Sequence, residues 1–347
     1  IVMSSMTTTD TPNYVLDETV VSIFLIIYGV ILIFGALMCS LLIMTLFRGR
    51  KTIFQWPFFR IVQNLLYIDS VFLLVQLTLV FPSMIAEDVG MGPLMDVRGE
   101  IGTSDAWYNT KVVKVILSIL EFLPLKGLLY LSLLMSLNRL AVFTFPCLKL
   151  VFDKDSIGWT ILGCWITIVT LSIISVFVRP MQRFNRETLK FEDSGDILIE
   201  IPALKTGIDM LDSLIPFIII IVYVLIFLSV QKKRRMINTT APTTTQSSDD
   251  TRMLWQAIVI AIFLQLYNIT QIAAELVDEK GLIGYILNML DLIFSVCNHS
   301  IHSTIFIVTN STIRSFLPRP EFVHKLSCKK APPNTRTEEK YTNDNTG

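Results

Sequence analysis

The sequence predicts an all-α membrane protein, a seven-transmembrane helix bundle with its N-terminus outside the membrane and its C-terminus inside. Seven long apolar stretches divide the chain almost end to end, each bounded by polar or charged segments. The chain is 52% hydrophobic and has a mean hydropathy of +0.59, whereas a soluble protein of this size buries its core with shorter, amphipathic elements. Basic residues concentrate in alternate loops, and this asymmetry indicates the orientation.

Each apolar stretch meets or approaches the about 20 residues that a helix needs to cross the hydrocarbon core. The stretches are 20–47, 61–86, 112–137, 157–178, 213–230, 253–276 and 282–308. The first has no basic flank before it and predicts an uncleaved signal anchor. An odd number of spans places the two termini on opposite sides, so that one end can sense a stimulus while the other signals. We find no repeated pair of interrupted helices, which argues against the inverted-repeat transporters.

The charges separate across the predicted membrane. With the loops assigned alternately and the N-terminus outside, 19 of the 29 basic residues lie inside, 8 outside, and Lys114 and Lys126 within a span. The 29 acidic residues show the opposite bias, with 17 outside, 8 inside and 4 within spans. Basic segments next to a span tend to stay cytoplasmic, so the bias predicts the stated orientation. The segment between the fourth and fifth stretches mixes both signs, and we interpret it as a solvated surface.

The chain divides into one membrane domain and two polar ends. We predict an extracellular segment at 1–19, the seven-helix domain at 20–316 and a disordered cytoplasmic tail at 317–347. The inner segment 231–252 is basic and then hydroxyl-rich, which predicts a flexible linker or a phosphorylation platform beside a cluster that attracts anionic membrane lipid. Soluble enzyme signatures such as Gly-x-Ser-x-Gly are absent from the sequence. We therefore expect no enzyme, no cofactor, no metal site and no nucleic-acid partner.

The most specific segment ends the third stretch, where Asn138, Arg139 and Leu140 are followed by Pro146. An arginine at the inner end of an apolar helix can extend to the interface with no further role. The triplet and the proline seven positions after the arginine nevertheless resemble the third-helix signature of rhodopsin-like G-protein-coupled receptors. The resemblance implies that Arg139 is held by polar neighbours in the off state and meets the G protein in the on state. Because Asn138 stands where the family carries an acid, we expect the off state to be held differently here.

Further matches extend the resemblance over the whole membrane domain. In the second span, Asn64 and Asp69 match the family's Asn-…-Asp pattern, in which the aspartate binds sodium and a polar network. In the fifth span, Pro216 matches the family's helix-distorting proline. In the seventh span, Asn298 and His302 stand in the place of Asn-Pro-x-x-Tyr. The chain departs from the family in lacking a first-span asparagine, Trp-x-Pro in the sixth span and a cysteine in any predicted outer loop. Such drifted patterns are similar to the nematode serpentine chemoreceptors of the Srx, Srxa or Srv type.

Asp69 is the most informative ionisable residue within a predicted span. A charged side chain in the bilayer costs about 2.5–3.5 kcal/mol on insertion scales, so its presence requires a reason. One interpretation is a structural polar contact with Asn298 or Asp291 through water. The other is an ion-linked switch, which the motif match implies.

Glu121 is a candidate ligand-binding residue because it precedes Arg139 by 18 positions, or about 27 Å along a helix, and so lies near the outer mouth of the bundle. By resemblance to the amine receptors, its carboxylate pairs with the cation of a ligand. The alternative is an internal pair with Lys126, brought round by a kink at Pro124.

Gln265 and Asp291 complete the candidate ligand-binding residues. Gln265 interrupts an apolar run in the sixth stretch, where it lines a ligand cavity or bonds between helices. His299 and His302 are three positions apart and share one helical face. Two histidines without clear further ligands favour polar packing toward the second and third helices over metal binding.

The predicted function is a G-protein-coupled chemosensory receptor that binds a small molecule in the outer half of the bundle and activates a heterotrimeric G protein through the inner face. The resemblance implies a multi-pass protein of the plasma membrane, in the ciliary membrane of sensory neurons. The alternative is a ligand-gated ion channel or transporter with seven spans, as in the insect odorant receptors. That class has the reverse orientation, so the side on which the N-terminus lies separates the two.

Overall fold

The protein is described by a computed structural model that covers residues 18–53, 56–88, 111–178, 182–185, 190–193, 201–237, 246–277 and 282–317. The helices are α1 (Glu18–Ile53), α2 (Pro57–Val75), α3 (Phe81–Asp88), α4 (Lys111–Phe143), α5 (Ile157–Val178), α6 (Pro202–Ile237), α7 (Gln246–Leu276), α8 (Leu282–Thr309) and α9 (Ser311–Ser315). The predicted N-terminal segment up to residue 17, the hydroxyl-rich run at 238–245 and the tail from 318 lie outside the described residues.

The long helices pack side by side into one bundle. α1 packs against α2 and α8, α2 against α4 and α8, and α6 against α7, which in turn packs against α8. α4 is the central helix, because it packs against α2, α5 and α6. The buried apolar side chains of these helices form one continuous core. The predicted all-α membrane bundle is thus confirmed in its helical architecture.

Six helices of the described chain are long and apolar enough to cross a membrane, namely those containing Thr19–Lys51, Pro57–Thr78, Ser118–Phe143, Ile157–Val178, Pro202–Lys232 and Leu282–Thr309. The sixth predicted stretch lies within helix α7, where the described side chains include the apolar run Ile258–Ala274.

The second predicted stretch is one continuous helix with a local irregularity. A π-helical segment, Gln76–Val80, joins α2 to α3. Pro82 follows this segment, has no backbone N–H to donate and crowds the preceding turn, which accounts for the altered hydrogen bonding. The Tyr28 hydroxyl of α1 donates to Oε1 of Gln76 at 2.7 Å, so this irregular turn is attached to the first helix.

Hydroxyl side chains inside the bundle are satisfied largely within their own helices. Ser70, Ser172 and Ser300 each donate to the carbonyl four residues earlier, at 2.6, 2.8 and 2.7 Å. In a lipid environment every polar group needs a partner within the protein, and this back-bonding supplies one.

A short antiparallel hairpin interrupts the helical architecture between α5 and α6. Strands β1 (Gln182–Asn185) and β2 (Lys190–Asp193) pair with Arg183 opposite Glu192 and Phe184 opposite Phe191. The sequence predicted only a solvated, mixed-charge surface there. The alternation of charged and aromatic residues on facing strands is the feature that this interpretation missed.

Candidate functional site

Arg139 lies near the end of α4 and is buried, with 3% of its surface exposed. Its Nη2 donates to Oε1 of Gln256 on α7 at 3.3 Å. Its guanidinium also lies over the Phe58 ring of α2, with Cζ 4.9 Å from the ring centroid. Arg139 therefore does not extend to the surface in this arrangement, and its predicted part in G-protein coupling stays a prediction.

Gln256 connects Arg139 to a third helix. Its side-chain carbonyl accepts from Arg139, while its Nε2 donates to the hydroxyl of Thr309 on α8. The Thr309 hydroxyl in turn donates to the carbonyl of Ile305 at 2.6 Å. We call Arg139, Phe58, Gln256 and Thr309 the inner cluster. It joins α2, α4, α7 and α8 at one end of the bundle.

Asn138 and Pro146 of the arginine motif lie on either side of Arg139 in the chain. Asn138 is buried, with 4% of its surface exposed. Pro146 begins the short 3-10 segment Pro146–Leu150 that follows α4; its side chain is outside the described part of the chain. Pro at the first position of a helical turn fits because its missing N–H has no partner to lose there.

Asp69 of α2 lies in the interior of the bundle and faces two histidines of α8. Its Oδ1 is 2.9 Å from Nδ1 of His299, and its Oδ2 is 3.5 Å from Nδ1 of His302. Asp69 and His299 are fully buried, and 2% of His302 is exposed. We call these three residues the middle cluster. The predicted polar packing of the two histidines toward the second helix is confirmed.

The direct neighbours of the Asp69 carboxylate among the described residues are His299 and His302. The predicted contact with Asn298 or Asp291 through water stays a prediction. The buried amide of Asn298 has no hydrogen-bond partner among the described residues. Asn298 is four positions before His302 and so lies near the same face of α8.

His299 is fixed from a second direction by an aromatic ring. The Phe72 ring stacks on the imidazole with centroids 3.8 Å apart and an interplanar angle of 21°. Phe72 is three positions after Asp69, so the carboxylate and the stacking ring come from the same face of α2. The imidazole is thereby held in one orientation.

Two glycines let neighbouring helices approach the middle cluster closely. A Cβ on Gly127 of α4 would lie 2.6–2.9 Å from three side-chain atoms of Ile68, which precedes Asp69. A Cβ on Gly35 of α1 would lie 2.0 Å from Oγ of Ser300, which follows His299. Real Cβ atoms do not come this close to other heavy atoms. A larger residue at either position would therefore require the facing side chain or its helix to shift.

Lys126 of α4 and Asp212 of α6 form an ion pair. The side chain of Lys126 is 2% exposed and that of Asp212 is 20% exposed. We call these two residues the outer pair. Lys126 precedes Arg139 by 13 positions, or about 20 Å along α4, so the outer pair and the inner cluster are separate sites.

The remaining ligand-binding candidates are placed on three helices. Glu121 lies on α4, but its side chain is outside the described residues, so its predicted pairing with Lys126 or with a ligand stays a prediction. Gln265 is half-buried on α7, and its Oε1 has no hydrogen-bond partner among the described residues. Asp291 is half-buried on α8. The structure thus brings Asp69 together with His302, and gives Lys126 the partner Asp212.

Several residues of these sites were not among the sequence candidates. Gln256 belongs to no motif, and its only signal in the sequence is that it is a single polar residue near the start of an apolar run. Trp165 of α5 was also not among the sequence candidates. Its Nε1 donates to Oδ1 of Asn64 on α2 at 2.8 Å. Partners of this kind depend on how helices pack, which the spacing of residues along one helix does not determine.

No model of a known protein family matches the chain, and a search of curated proteins finds no significant match.

Proposed function

We propose that the protein is a G-protein-coupled receptor with seven spans, its N-terminus outside and its C-terminus inside. By the resemblance of its motifs, we place it among the nematode serpentine chemoreceptors, in the plasma membrane of sensory cells. This orientation is the one that places 19 of the 29 basic residues on the cytoplasmic side. In it, the inner cluster also lies on the cytoplasmic side.

The observation that carries the proposal is the buried hydrogen-bond chain from Arg139 through Gln256 to Thr309. A buried guanidinium is costly, and its contacts with Gln256 and Phe58 offset part of that cost. A neutral amide holds the arginine less firmly than a carboxylate would, since hydrogen bonds between oppositely charged groups are the stronger ones. The arrangement is thus a closed inner face that a modest free-energy change opens.

α4 offers a physical connection between this inner face and the outer half of the bundle. Lys126 is bound to α6 through Asp212, and Arg139 is bound to α7 and α8 through Gln256. A ligand that binds near the outer pair and prefers one arrangement of α4 and α6 would shift the population at the inner end. Only a difference in affinity between the two arrangements produces such a shift.

The ligand is proposed to be a small molecule that lies between the outer halves of α4, α6, α7 and α8. Lys126 and Asp212 present both signs of charge there, and Gln265 contributes an amide whose carbonyl oxygen has no hydrogen-bond partner among the described residues. In this proposal Glu121 binds a cationic group of the ligand. Glu121→Gln should abolish the response to a cationic ligand and leave surface expression intact.

Guanine-nucleotide exchange in reconstituted vesicles tests the proposal. The purified chain is combined with a heterotrimeric G protein, and exchange is measured without ligand for wild type, Gln256→Leu and Arg139→Ala. Loss of a hydrogen bond to a charged group is worth about 1.5–3 kcal/mol, so Gln256→Leu is expected to raise basal exchange by about tenfold. Arg139→Ala is expected to abolish it.

The matched control is Arg48→Ala, which removes an exposed arginine from α1. It should leave basal exchange near the wild-type rate, because Arg48 belongs to none of the three sites. Equal exchange in wild type, Gln256→Leu and Arg139→Ala, with several G-protein subtypes, would contradict coupling through the inner cluster. Current across the same vesicles would instead favour a channel.

A further inference from the structure

The middle cluster carries more ionisable groups than a buried structural contact needs. One carboxylate and two imidazoles meet in a region where Asp69 and His299 are fully buried and His302 is 2% exposed. An ionised Asp69 with two neutral imidazoles leaves a bare negative charge inside the membrane. Such a charge costs several kcal/mol even after relaxation of the surroundings. One additional proton, on an imidazole or on the carboxylate, removes the net charge.

The other helices provide no alternative counter-charge among the described residues. α1 presents the thiol of Cys39, which contacts Oγ of Ser70 at 3.2 Å. On α4, Lys126 binds Asp212 and Arg139 contacts Gln256. The charged residues of α7 are Asp249, Asp250, Arg252 and Glu275, and their side chains lie outside the described part of the chain. On α8, Asp291 is eight positions before His299, or about 12 Å along the helix, and carries the wrong sign.

The two imidazoles are held differently. His299 is hydrogen-bonded to Oδ1 of Asp69 at 2.9 Å and stacked on Phe72. His302 approaches Oδ2 at 3.5 Å, which is too long for a firm hydrogen bond. One ring therefore forms a fixed partner for the carboxylate, and the second is close enough to move onto the other oxygen. Within the described residues, Oδ2 of Asp69 has no hydrogen-bond partner.

We propose that Asp69, His299 and His302 form a proton-binding site, in which one proton shared by the carboxylate and the imidazoles keeps the cluster neutral and holds α8 against α2. Binding forms one N–H or O–H bond at the site and converts one hydronium ion to water. Loss of the proton leaves a buried anion, which favours separation of α2 from α8 and entry of water. The site responds to pH whether or not the chain couples to a G protein.

The sign of the pH effect follows from the number of protons bound. In an unfolded chain the side chains of Asp and His release their protons below neutral pH, with pKa values of about 3.9 and 6.5. The packed cluster keeps one proton above that range. The folded state then binds more protons than the unfolded state, and its stability falls as the pH rises. One proton changes the unfolding equilibrium by up to about tenfold per pH unit.

Reversible unfolding of the purified full chain in mixed micelles, from about pH 6.5 to 9, tests the proposal. The wild-type unfolding constant is expected to rise with pH at a slope of up to about tenfold per unit. Asp69→Asn should show no such slope, because an amide needs no proton to be neutral beside two imidazoles. The control is Asp153→Asn, which changes an exposed acid before α5 and should keep the wild-type slope.

The same titration in sodium chloride and in choline chloride separates a proton from a metal cation. A proton site gives the same profile in both salts, and a profile that shifts with sodium overturns the proposal in favour of a cation. Equal slopes for wild type and Asp69→Asn overturn it as well. Should Asp69→Asn fail to fold, His302→Phe is used instead. This substitution removes one base from the site. If the unfolding constant of the variant depends on pH in the same way as that of wild type, the proposal is overturned.

Discussion

α4 and α5 are neighbours in the chain and in the bundle, but only α4 places charged side chains in the core. In the most apolar stretch of α4, 59% of residues are buried, against 33% in α5. α5 is the more apolar helix, and it exposes large side chains such as Trp159 and Ile166. α4 buries Lys126, Asn138 and Arg139. In lipid, an apolar surface indicates contact with the membrane, and buried polar groups indicate the functional centre.

The glycines of the two helices repeat this contrast. Gly127 of α4 faces Ile68 at a distance that admits no Cβ, whereas a Cβ added to Gly158 or Gly163 of α5 would meet nothing within 4 Å. Alanine substitutions at these glycines are therefore expected to change stability in opposite directions on the two helices.

The largest effect is expected for the outer pair. Lys126→Met removes the cation and leaves Asp212 without its described partner, and breaking a buried pair in this way costs about 3–5 kcal/mol. Asp212 is 20% exposed, which places the expected cost at the lower end. The measurement is the unfolding free energy in micelles. The double variant Lys126→Met with Asp212→Leu should recover most of the loss, and a double variant as unstable as the single one would refute the pairing.

A smaller effect is expected for Gly127→Ala on α4. The added methyl group meets Ile68, and overpacking of this kind costs about 1–3 kcal/mol. Gly163→Ala on α5 is the matched control, since its methyl group enters open space and alanine favours the helix by up to about 1 kcal/mol. Unfolding free energies of the two variants should change in opposite directions. A similar change in both would contradict the close packing of α4 on α2.

Trp165→Phe tests the polar contact of α5 with the bundle. The substitution keeps an aromatic ring and removes the N–H that donates to Asn64 at 2.8 Å. The expected loss is about 1 kcal/mol, the typical net value of one hydrogen bond. Combining it with Asn64→Leu gives a double-mutant cycle, in which additive losses would show that the two side chains do not interact.

The smallest effect is expected for Trp159→Phe on the outer face of α5. Trp159 is 77% exposed, and surface substitutions away from special features stay within about 0.5 kcal/mol. A loss as large as that of Trp165→Phe would show that this face of α5 packs against protein rather than lipid.

The helices could be predicted from the sequence because hydropathy over about 20 residues is a strong signal. The fourth stretch, 157–178, coincides with α5. α6 and α7 extend beyond their predicted stretches, because a helix continues into polar surroundings where the hydropathy signal has ended. The shared face of His299 and His302 was also predictable, since spacing along one helix determines it.

The partners across helices could not be predicted in the same way. The pairing of Lys126 with Asp212, and of Arg139 with Gln256, depends on the rotation and depth of separate helices. A single sequence, with no related sequences to compare, does not show how each helix is rotated or how deep it lies in the bundle. The position of Asp69 in an apolar helix marks it as informative, but its partners His299 and His302 depend on how α2 packs against α8.

The orientation of the chain provides the most direct test of the proposed function, because a receptor of this kind must place the inner cluster in the cytoplasm. Epitope tags are attached before Ile1 and after Gly347, and each is stained on intact and on permeabilised cells. The N-terminal tag is expected to stain on intact cells, and the C-terminal tag only after permeabilisation. The reverse pattern would place Arg139 on the outer side and contradict coupling to a G protein.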